Sequence, residues 1–259
     1  MNQPRPNKQL GQHWLHDETA LQAMCQAADI QSDDTIVEVG PGLGTLTAYL
    51  VQKAKRVIAI EYDAHLANTL PERLLAANLT VHHGDILRFD LSTLPPGYKV
   101  VANVPYYITS KITRLFLESK HRPTTMTLLV QKEVAERMAA QPGSMSILAV
   151  AVQFFAEIRL SEIVPAELFT PPPKVDSQII TLHVREQPLF NNCDDKQLFR
   201  IVRAGFSEKR KKLRNALSGG LHKPKEEIEQ LLQNAGISQD ARAEQLSLEN
   251  WYQLSKLIK

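Results

Sequence analysis

The chain has 259 residues, of which 43% are hydrophobic, and carries a formal net charge of +2. That is ample for one large core and a smaller second domain, no apolar run reaches the length of a bilayer-spanning helix, and Met1-Asn2-Gln3-Pro4-Arg5 lacks the apolar centre of a secretory leader. Cys25 and Cys193 suggest neither a disulfide framework nor a metal site, which predicts a reduced, cytoplasmic protein without metal, and the near-neutral charge means that nucleic-acid binding must be argued from where the charges lie.

The first third of the chain alternates between helical and strand patterns. Asp17 is placed to N-cap a helix through Leu21, Met24, Ala28 and Ile30. Thr35–Val39 reads as a strand, Gly40–Gly44 as a glycine-rich turn and Leu46–Gln52 as the start of a helix. Arg56–Ile60 is a second strand ending at Glu61, Ala64–Ala76 a helix that Pro71 should kink, and Leu79–His82 a third strand followed by Gly84-Asp85. Val100-Val101-Ala102 is a fourth, leading into Asn103-Val104-Pro105-Tyr106-Tyr107, and Met126–Val130 a fifth. Ile147–Phe155 is apolar on nearly all sides and reads as a buried helix, and Gln178–Val184 supplies a last strand. Strands separated by helices of this length predict an α/β fold with a mostly parallel sheet covered on both faces. After Val184 the strand signals stop. Leu198–Phe206, Leu213–Leu217, Ile228–Leu232 and Leu248–Ile258 have helical spacing, which predicts a domain spanning 1–185 and a small all-helical domain spanning 186–259.

Chemistry concentrates at the carboxyl ends of the predicted strands, where open α/β sheets bind ligands. Gly40-Pro41-Gly42-Leu43-Gly44 lets the backbone turn tightly and approach a ligand. Glu61 can accept from both hydroxyls of a ribose, and Asp85 from an adenine amino group. A nicotinamide dinucleotide or S-adenosyl-L-methionine could use these three features alike. Asn103 separates the two, because an amide beside the same pocket serves transfer to an amino group and has no evident use in hydride transfer. The Asn103 side-chain oxygen and the Val104 carbonyl offer two neutral acceptors, Pro105 stiffens the turn and Tyr106 presents a flat face. That set fits an exocyclic amino group of adenine stacked on the ring, although Asn and Pro also end strands in ordinary turns.

These motifs resemble those of the adenine-N6,N6-dimethyltransferases of small-subunit ribosomal RNA. Gly11-Gln12-His13-Trp14-Leu15-His16-Asp17 is similar to that family's G-Q-N-F-L-x-D segment, Glu38–Thr47 to its glycine loop, and Asn103–Tyr106 to its N-[LIV]-P-Y motif. Phe169-Thr170-Pro171-Pro172-Pro173-Lys174-Val175-Asp176-Ser177 matches its long F-T-P-P-P-K-V-D-S string. The resemblance covers essentially the whole chain. It implies a Rossmann-like class I methyltransferase with a helical RNA-binding domain, S-adenosyl-L-methionine held by His13, Leu15, Gly40, Gly42, Glu61, Asp85 and Asn103, and catalysis by Asn103, Val104, Pro105 and Tyr106 with Phe169 flanking the target base opposite Tyr106. It further implies methylation of two adjacent adenosines in a 3′-terminal hairpin of small-subunit rRNA within an assembling ribosomal particle, by a monomer. His13 replaces the family's Asn, Trp14 is a larger aromatic, and Tyr107 stands where Asn or His is usual.

For RNA contact the strongest sequence signal is Lys209-Arg210-Lys211-Lys212 with Arg214, preceded by Arg200 and Arg203; it is dense and one-signed in a near-neutral chain. A new helix is expected to begin at Ser207 or Glu208. Arg5 and Lys8 suggest a basic N-terminal arm, and Lys111, Arg114, Lys132 and Arg137 a basic rim. Three other readings remain: a related enzyme acting on large-subunit rRNA, a DNA adenine methyltransferase, and a binding protein that checks immature ribosomes. The F-T-P-P-P-K-V-D-S string, the lack of a sequence-reading domain and the intact Asn103–Tyr106 set speak against each in turn.

Overall fold

A computed structural model describes residue 6 and residues 10–208 and 210–258. The elements in chain order are β1 (Trp14–Leu15), α1 (Glu18–Ala27), β2 (Thr35–Val39), α2 (Thr45–Lys53), β3 (Arg56–Glu61), α3 (Ala64–Leu74), β4 (Leu79–His83), β5 (Lys99–Asn103), α4 (Thr109–Glu118), β6 (Thr125–Gln131), α5 (Lys132–Met138), α6 (Ile147–Phe155), β7 (Ala156–Val164), β8 (Phe169–Thr170), β9 (Ser177–Val184), α7 (Asp195–Gly205), α8 (Leu213–Leu221), α9 (Lys225–Asn234) and α10 (Leu248–Leu257). The chain divides into two compact units. One comprises Met1–Ala135 with Glu157–Glu186, the other Glu136–Ala156 with Gln187–Lys259.

In the first unit a seven-stranded sheet runs β4-β3-β2-β5-β6-β9-β7, with parallel pairing from β4 to β6 and β9 antiparallel to β6. The strand order reverses between β2 and β5, which opens a crevice beyond their carboxyl ends. Local chemistry sets the helix ends. Asp17 accepts from Ala20 N at 2.8 Å to start α1, and Asp63 accepts from His65 N and Leu66 N to start α3. α1 stops at Ala27, short of the expected Ile30, because Asp29 adopts a left-handed φ of 45°. α3 continues past Pro71 but closes at Leu75 (φ 49°), whose N–H donates to the Pro71 carbonyl.

Two strands escape the sequence pattern. β7 carries Glu157, Arg159 and Glu162 on exposed positions of an edge strand, so it shows no apolar run. β1 and β8 are two residues each and pair antiparallel, Leu15 opposite Phe169 and Trp14 opposite Thr170. That ribbon sits on a cluster built from Leu21, Met24, Ile36, Leu50, Val101 and Ile179.

The second unit begins earlier than the expected 186, because it also takes in α6. This helix is buried on almost every face. Phe154 meets Phe199 edge-on at 5.6 Å and lies 6.3 Å from Phe190, while Phe155 stacks on Phe199. A helix with no polar face must be covered all round, and its partners come from far down the chain. Gly143 N and Met145 N both donate to the Glu244 carbonyl. α7 and α8 meet at Gly220, where an added Cβ would lie 2.7 Å from Ala204 Cβ and 2.9 Å from its Cα. Cys25 and Cys193 are both free thiols.

Strand β2 buries a carboxyl group. Glu38 is 1% exposed, and its Oε2 has no hydrogen-bond partner among the described residues. Burial pushes its pKa up to about 8; the nearby Thr47 hydroxyl opposes the rise and the Glu61 carboxyl adds to it. The native state therefore keeps a proton that the unfolded chain releases above the ordinary value of 4.5. Between these values the native state binds more protons, so stability falls as pH rises. Glu38→Gln should flatten that slope, by at most about 1.4 kcal/mol per pH unit, as read from urea unfolding across the window. At the helix contact, Gly220→Ala should lower stability by about 1–3 kcal/mol through overpacking. The neighbouring Gly219→Ala meets nothing within 4 Å and should stabilise by about 0.5–1 kcal/mol through helix propensity; calorimetry of the two variants tests the opposite signs.

Candidate active site

The crevice at the switch point is a cavity of about 340 Å³, lined from the ends of β2, β3, β5 and the turn after β4, and by residues 10–15. His13, Leu15, Gly40, Gly42, Glu61, Asp85, Asn103, Val104, Pro105 and Tyr106 all line it. Gly40 and Gly42 hold φ values of 68° and 58°, which only glycine adopts without strain. A Cβ at Gly42 would also come within 3.6 Å of the Trp14 indole.

Glu61 braces this turn. Its Oε2 accepts from Gly42 N at 3.0 Å and its Oε1 from Asp63 N at 2.8 Å. Burial raises its pKa, and the backbone donors oppose that rise. Each carboxylate oxygen has two lone-pair directions, so the carboxylate retains capacity for a ligand hydroxyl beyond its backbone donors, which include Tyr62. From the other side, Arg73 of α3 donates to the carbonyls of Leu43 (3.1 Å) and Gly42 (3.4 Å), a support that no local motif announces. Asp85 uses Oδ1 to accept from Leu87 N at 2.9 Å, and its Oδ2 lies 3.9 Å from Arg88 Nε.

Asn103 ends β5. Its Nδ2 donates to the main-chain carbonyl of His13 at 3.3 Å, which fixes the amide with its oxygen as the remaining acceptor. Tyr106 Oη lies 2.6 Å from Ser177 Oγ, and burial raises the phenol pKa. The His13 ring lies beside it, with centroids 5.7 Å apart and planes inclined by 18°. Tyr107 is 62% exposed, and its ring covers Gly11, where an added Cβ would lie 3.2 Å from Tyr107 Cδ1.

Three expectations need correction. Phe169 does not flank the cavity; it is 2% exposed, paired with Leu15 and packed into the cluster beneath β1 and β8. What reaches the site from its proline run is the Pro171 carbonyl, 2.7 Å from His13 Nδ1. No helix begins at Ser207 or Glu208; α8 starts at Leu213, so Arg210, Lys211 and Lys212 precede it and Arg214 lies in its first turn. Of the expected rim, Lys111 lines the cavity, Arg114 is paired with Glu118 at 2.7 Å, and Lys132 and Arg137 do not line it.

Among the expected RNA contacts, Lys211 pairs with Glu208, Lys212 with Asp240 at 2.7 Å and Arg214 with Glu229 at 2.8 Å. Arg200, Arg203 and Arg210 are exposed and take part in no ion pair among the described residues. Lys209, Arg5 and Lys8 lie outside the described residues.

The donor set suits an adenosine-containing cofactor. Carboxylates stand at the end of β3 and after β4, glycines line the turn after β2, and the Trp14 Nε1 and Glu38 Oε2 atoms, buried in residues of the cavity wall, have no partner among the described residues. Among the described residues, no helix is long and apolar enough to cross a membrane.

Comparison with known proteins agrees. Residues 4–259 match the family described as ribosomal RNA adenine dimethylase. A ribosomal RNA small subunit methyltransferase A of Dehalococcoides mccartyi is 42% identical over 96% of this chain and 87% of its own, and one of Synechocystis sp. is 41% identical over 98% and 96%. A dimethyladenosine transferase from Plasmodium falciparum superposes with a TM-score of 0.80 at 27% identity, covering 93% of this chain and 96% of that one. The 23S rRNA methyltransferase ErmE gives 0.75 at 30%, covering 94% and 98%. The match runs from the N-terminal segment to the last helix, and the chain belongs to the ribosomal RNA adenine dimethylase family, as an rRNA adenine dimethyltransferase.

Proposed function

We propose that the cavity joins two half-sites, one for S-adenosyl-L-methionine and one for the N6 amino group of an adenine in small-subunit rRNA. The observation that carries this reading is the bond from Asn103 Nδ2 to the His13 carbonyl, because it commits the amide oxygen to accepting. The cofactor supplies an electrophilic methyl group on a positively charged sulfur.

On the cofactor side, Glu61 accepts from the ribose hydroxyls, Asp85 Oδ2 from the adenine amino group, and Gly40 and Gly42 let the main chain approach. His13 and Leu15 close the site from the N-terminal segment. On the target side, the difficulty is that the adenine amino nitrogen shares its lone pair with the ring. Asn103 Oδ1 and the Val104 carbonyl accept its two N–H bonds and draw them out of the ring plane, which frees the lone pair. They also stabilise positive charge building on nitrogen; losing one such preorganised partner typically costs about 10²–10³ in rate. Tyr106 stacks on the base, and Pro105 fixes the turn that aligns all three. The attacking nitrogen becomes cationic and then gives up its proton to water, so no strong base is needed. After the first transfer one N–H remains for the acceptors, and the second uses the same alignment.

The base must leave its stack to reach a cavity of this depth. Arg200, Arg203 and Arg210 are available for phosphate. Lys211 and Lys212 can exchange their carboxylate partners for it, since solvent-exposed ion pairs contribute only about 0–1 kcal/mol; Arg214, in a half-buried pair with Glu229, and Lys209 belong to the same run. The targets are two adjacent adenosines in the 3′-terminal hairpin of 16S rRNA, reached in an assembling cytoplasmic particle by a monomer, with no metal.

Labelled S-adenosyl-L-methionine supplied with unmethylated small subunits, large-subunit RNA or duplex DNA should label small subunits alone, as N6,N6-dimethyladenosine. Asn103→Ala should lower turnover by at least about 10²-fold while calorimetric affinity for S-adenosylhomocysteine stays near normal; normal turnover would remove Asn103 from the mechanism. Glu61→Gln should weaken that affinity by roughly 10- to 100-fold, the worth of one charge-assisted bond at about 1.5–3 kcal/mol.

A further inference from the structure

The glycine turn after β2 is held from outside the cavity by a side chain that belongs to no motif. Gly42 is engaged at both of its main-chain groups. Its N–H donates to Glu61 Oε2 at 3.0 Å, and its carbonyl accepts from Arg73 Nη2 at 3.4 Å. Arg73 Nη1 donates to the next carbonyl, that of Leu43, at 3.1 Å, and Arg73 Nε donates to the Thr69 carbonyl of its own helix at 3.4 Å. A planar guanidinium with a fixed fork of donors can serve three carbonyls at once, which the point charge of a lysine cannot.

Helix α3 closes this path into a circuit. Glu61 Oε1 accepts from Asp63 N at 2.8 Å, and the Asp63 carboxylate caps α3 by accepting from His65 N and Leu66 N. Arg73 stands in the last turn of the same helix. The chain of contacts therefore runs from Gly42 through Glu61, Asp63, α3 and Arg73 back to Gly42. The helix also packs on the turn, since a Cβ at Gly44 would collide with the Leu70 side chain. Such a turn needs outside support. Gly40, Gly42 and Gly44 hold left-handed φ values of 68°, 58° and 80°, and glycine has more backbone freedom to lose than any other residue. A turn already ordered when the cofactor arrives loses less entropy on binding.

We propose that Arg73 is a positioning residue for the nucleoside half of S-adenosyl-L-methionine. It keeps the Gly42 and Leu43 carbonyls turned toward α3, so that the Gly42 N–H stays on Glu61 and the carboxylate keeps its remaining lone pairs on the ribose hydroxyls. This rests on the reading of Glu61 as the ribose acceptor. Arg73 is not among the residues that line the cavity, so it acts on the cofactor through Gly42 and Glu61.

Arg73→Ala, Arg73→Lys, Glu61→Gln and the double variant Arg73→Ala/Glu61→Gln test the assignment. Each is titrated calorimetrically with S-adenosylhomocysteine and with 5′-methylthioadenosine, which keeps adenine and ribose but lacks the amino-acid end, and is assayed with unmethylated small subunits. Arg73→Ala is expected to weaken both ligands by about 5- to 10-fold, the scale of one net hydrogen bond. KM for S-adenosyl-L-methionine should rise in proportion, with kcat at saturating cofactor within about twofold of the native value, as loss of uniform binding requires. Arg73→Lys should recover only part of the loss. Because both side chains act on the Gly42 peptide, the double variant should lose less than the product of the two single losses. Unchanged affinity for both ligands in Arg73→Ala would overturn the proposal, as would a loss seen with S-adenosylhomocysteine but not with 5′-methylthioadenosine, or single losses that simply multiply. Glu61→Gln separates this from the underlying reading: if it binds both ligands normally, the ribose acceptor itself is misassigned, whereas a weakened Glu61→Gln beside a normal Arg73→Ala rejects only the role of Arg73.

Discussion

Parallel pairing of β3, β2 and β5 is the constraint on which the rest of this molecule depends. Val39 is in register with Ile60, Glu61 with His83 and Asn103 with Leu129. Parallel strands end on the same edge of a sheet, so a glycine turn, a carboxylate and an amide widely separated in sequence emerge side by side. The reversal of strand order between β2 and β5 leaves the space between them open. The chemistry then needs only short polar side chains at strand ends, where the backbone is rigid and the positions are repeatable.

The second feature is the N-terminal segment, tied down by a ribbon of only two residues per strand. Leu15 buries itself against Phe169, and this anchors His13 and Trp14 over the cavity. The His13 carbonyl accepts from the Asn103 amide, and the His13 ring is joined to the proline run through Pro171. Ser177, at the end of that run, holds the Tyr106 hydroxyl. The long string from Phe169 to Ser177 thus acts at its two ends: Phe169 fastens the segment to the core, while Pro171 and Ser177 hold the His13 imidazole and the Tyr106 hydroxyl.

Much of this was legible in the chain. The glycine turn, Glu61, Asp85 and the Asn103–Tyr106 motif could be placed at strand ends because apolar runs of strand length precede them, and all of them line one cavity. Asp17 announced α1 as its cap. β7 was not legible, because an edge strand needs no continuous apolar run, nor was the support of the glycine turn by Arg73, which is a contact across 31 residues. The membership of α6 in the helical unit was hidden for the same reason: an apolar helix declares that it must be covered but not by what.

The sequence by itself determined the strand and helix alternation, the cofactor and target motifs and the family, since these depend on residue type and local spacing. Tertiary structure decided which aromatic rings face each other and which cations are already paired. Phe169 and His13 are both ring-bearing residues beside the same motif, and only the β1–β8 pairing sends one into the core and the other onto Tyr106. Likewise the basic run reads as uniform along the chain, yet Glu208, Asp240 and Glu229 engage Lys211, Lys212 and Arg214 and leave Arg200, Arg203 and Arg210 exposed. Pairing and burial are properties of neighbours in space, and two of those three carboxylates lie well beyond the run they neutralise.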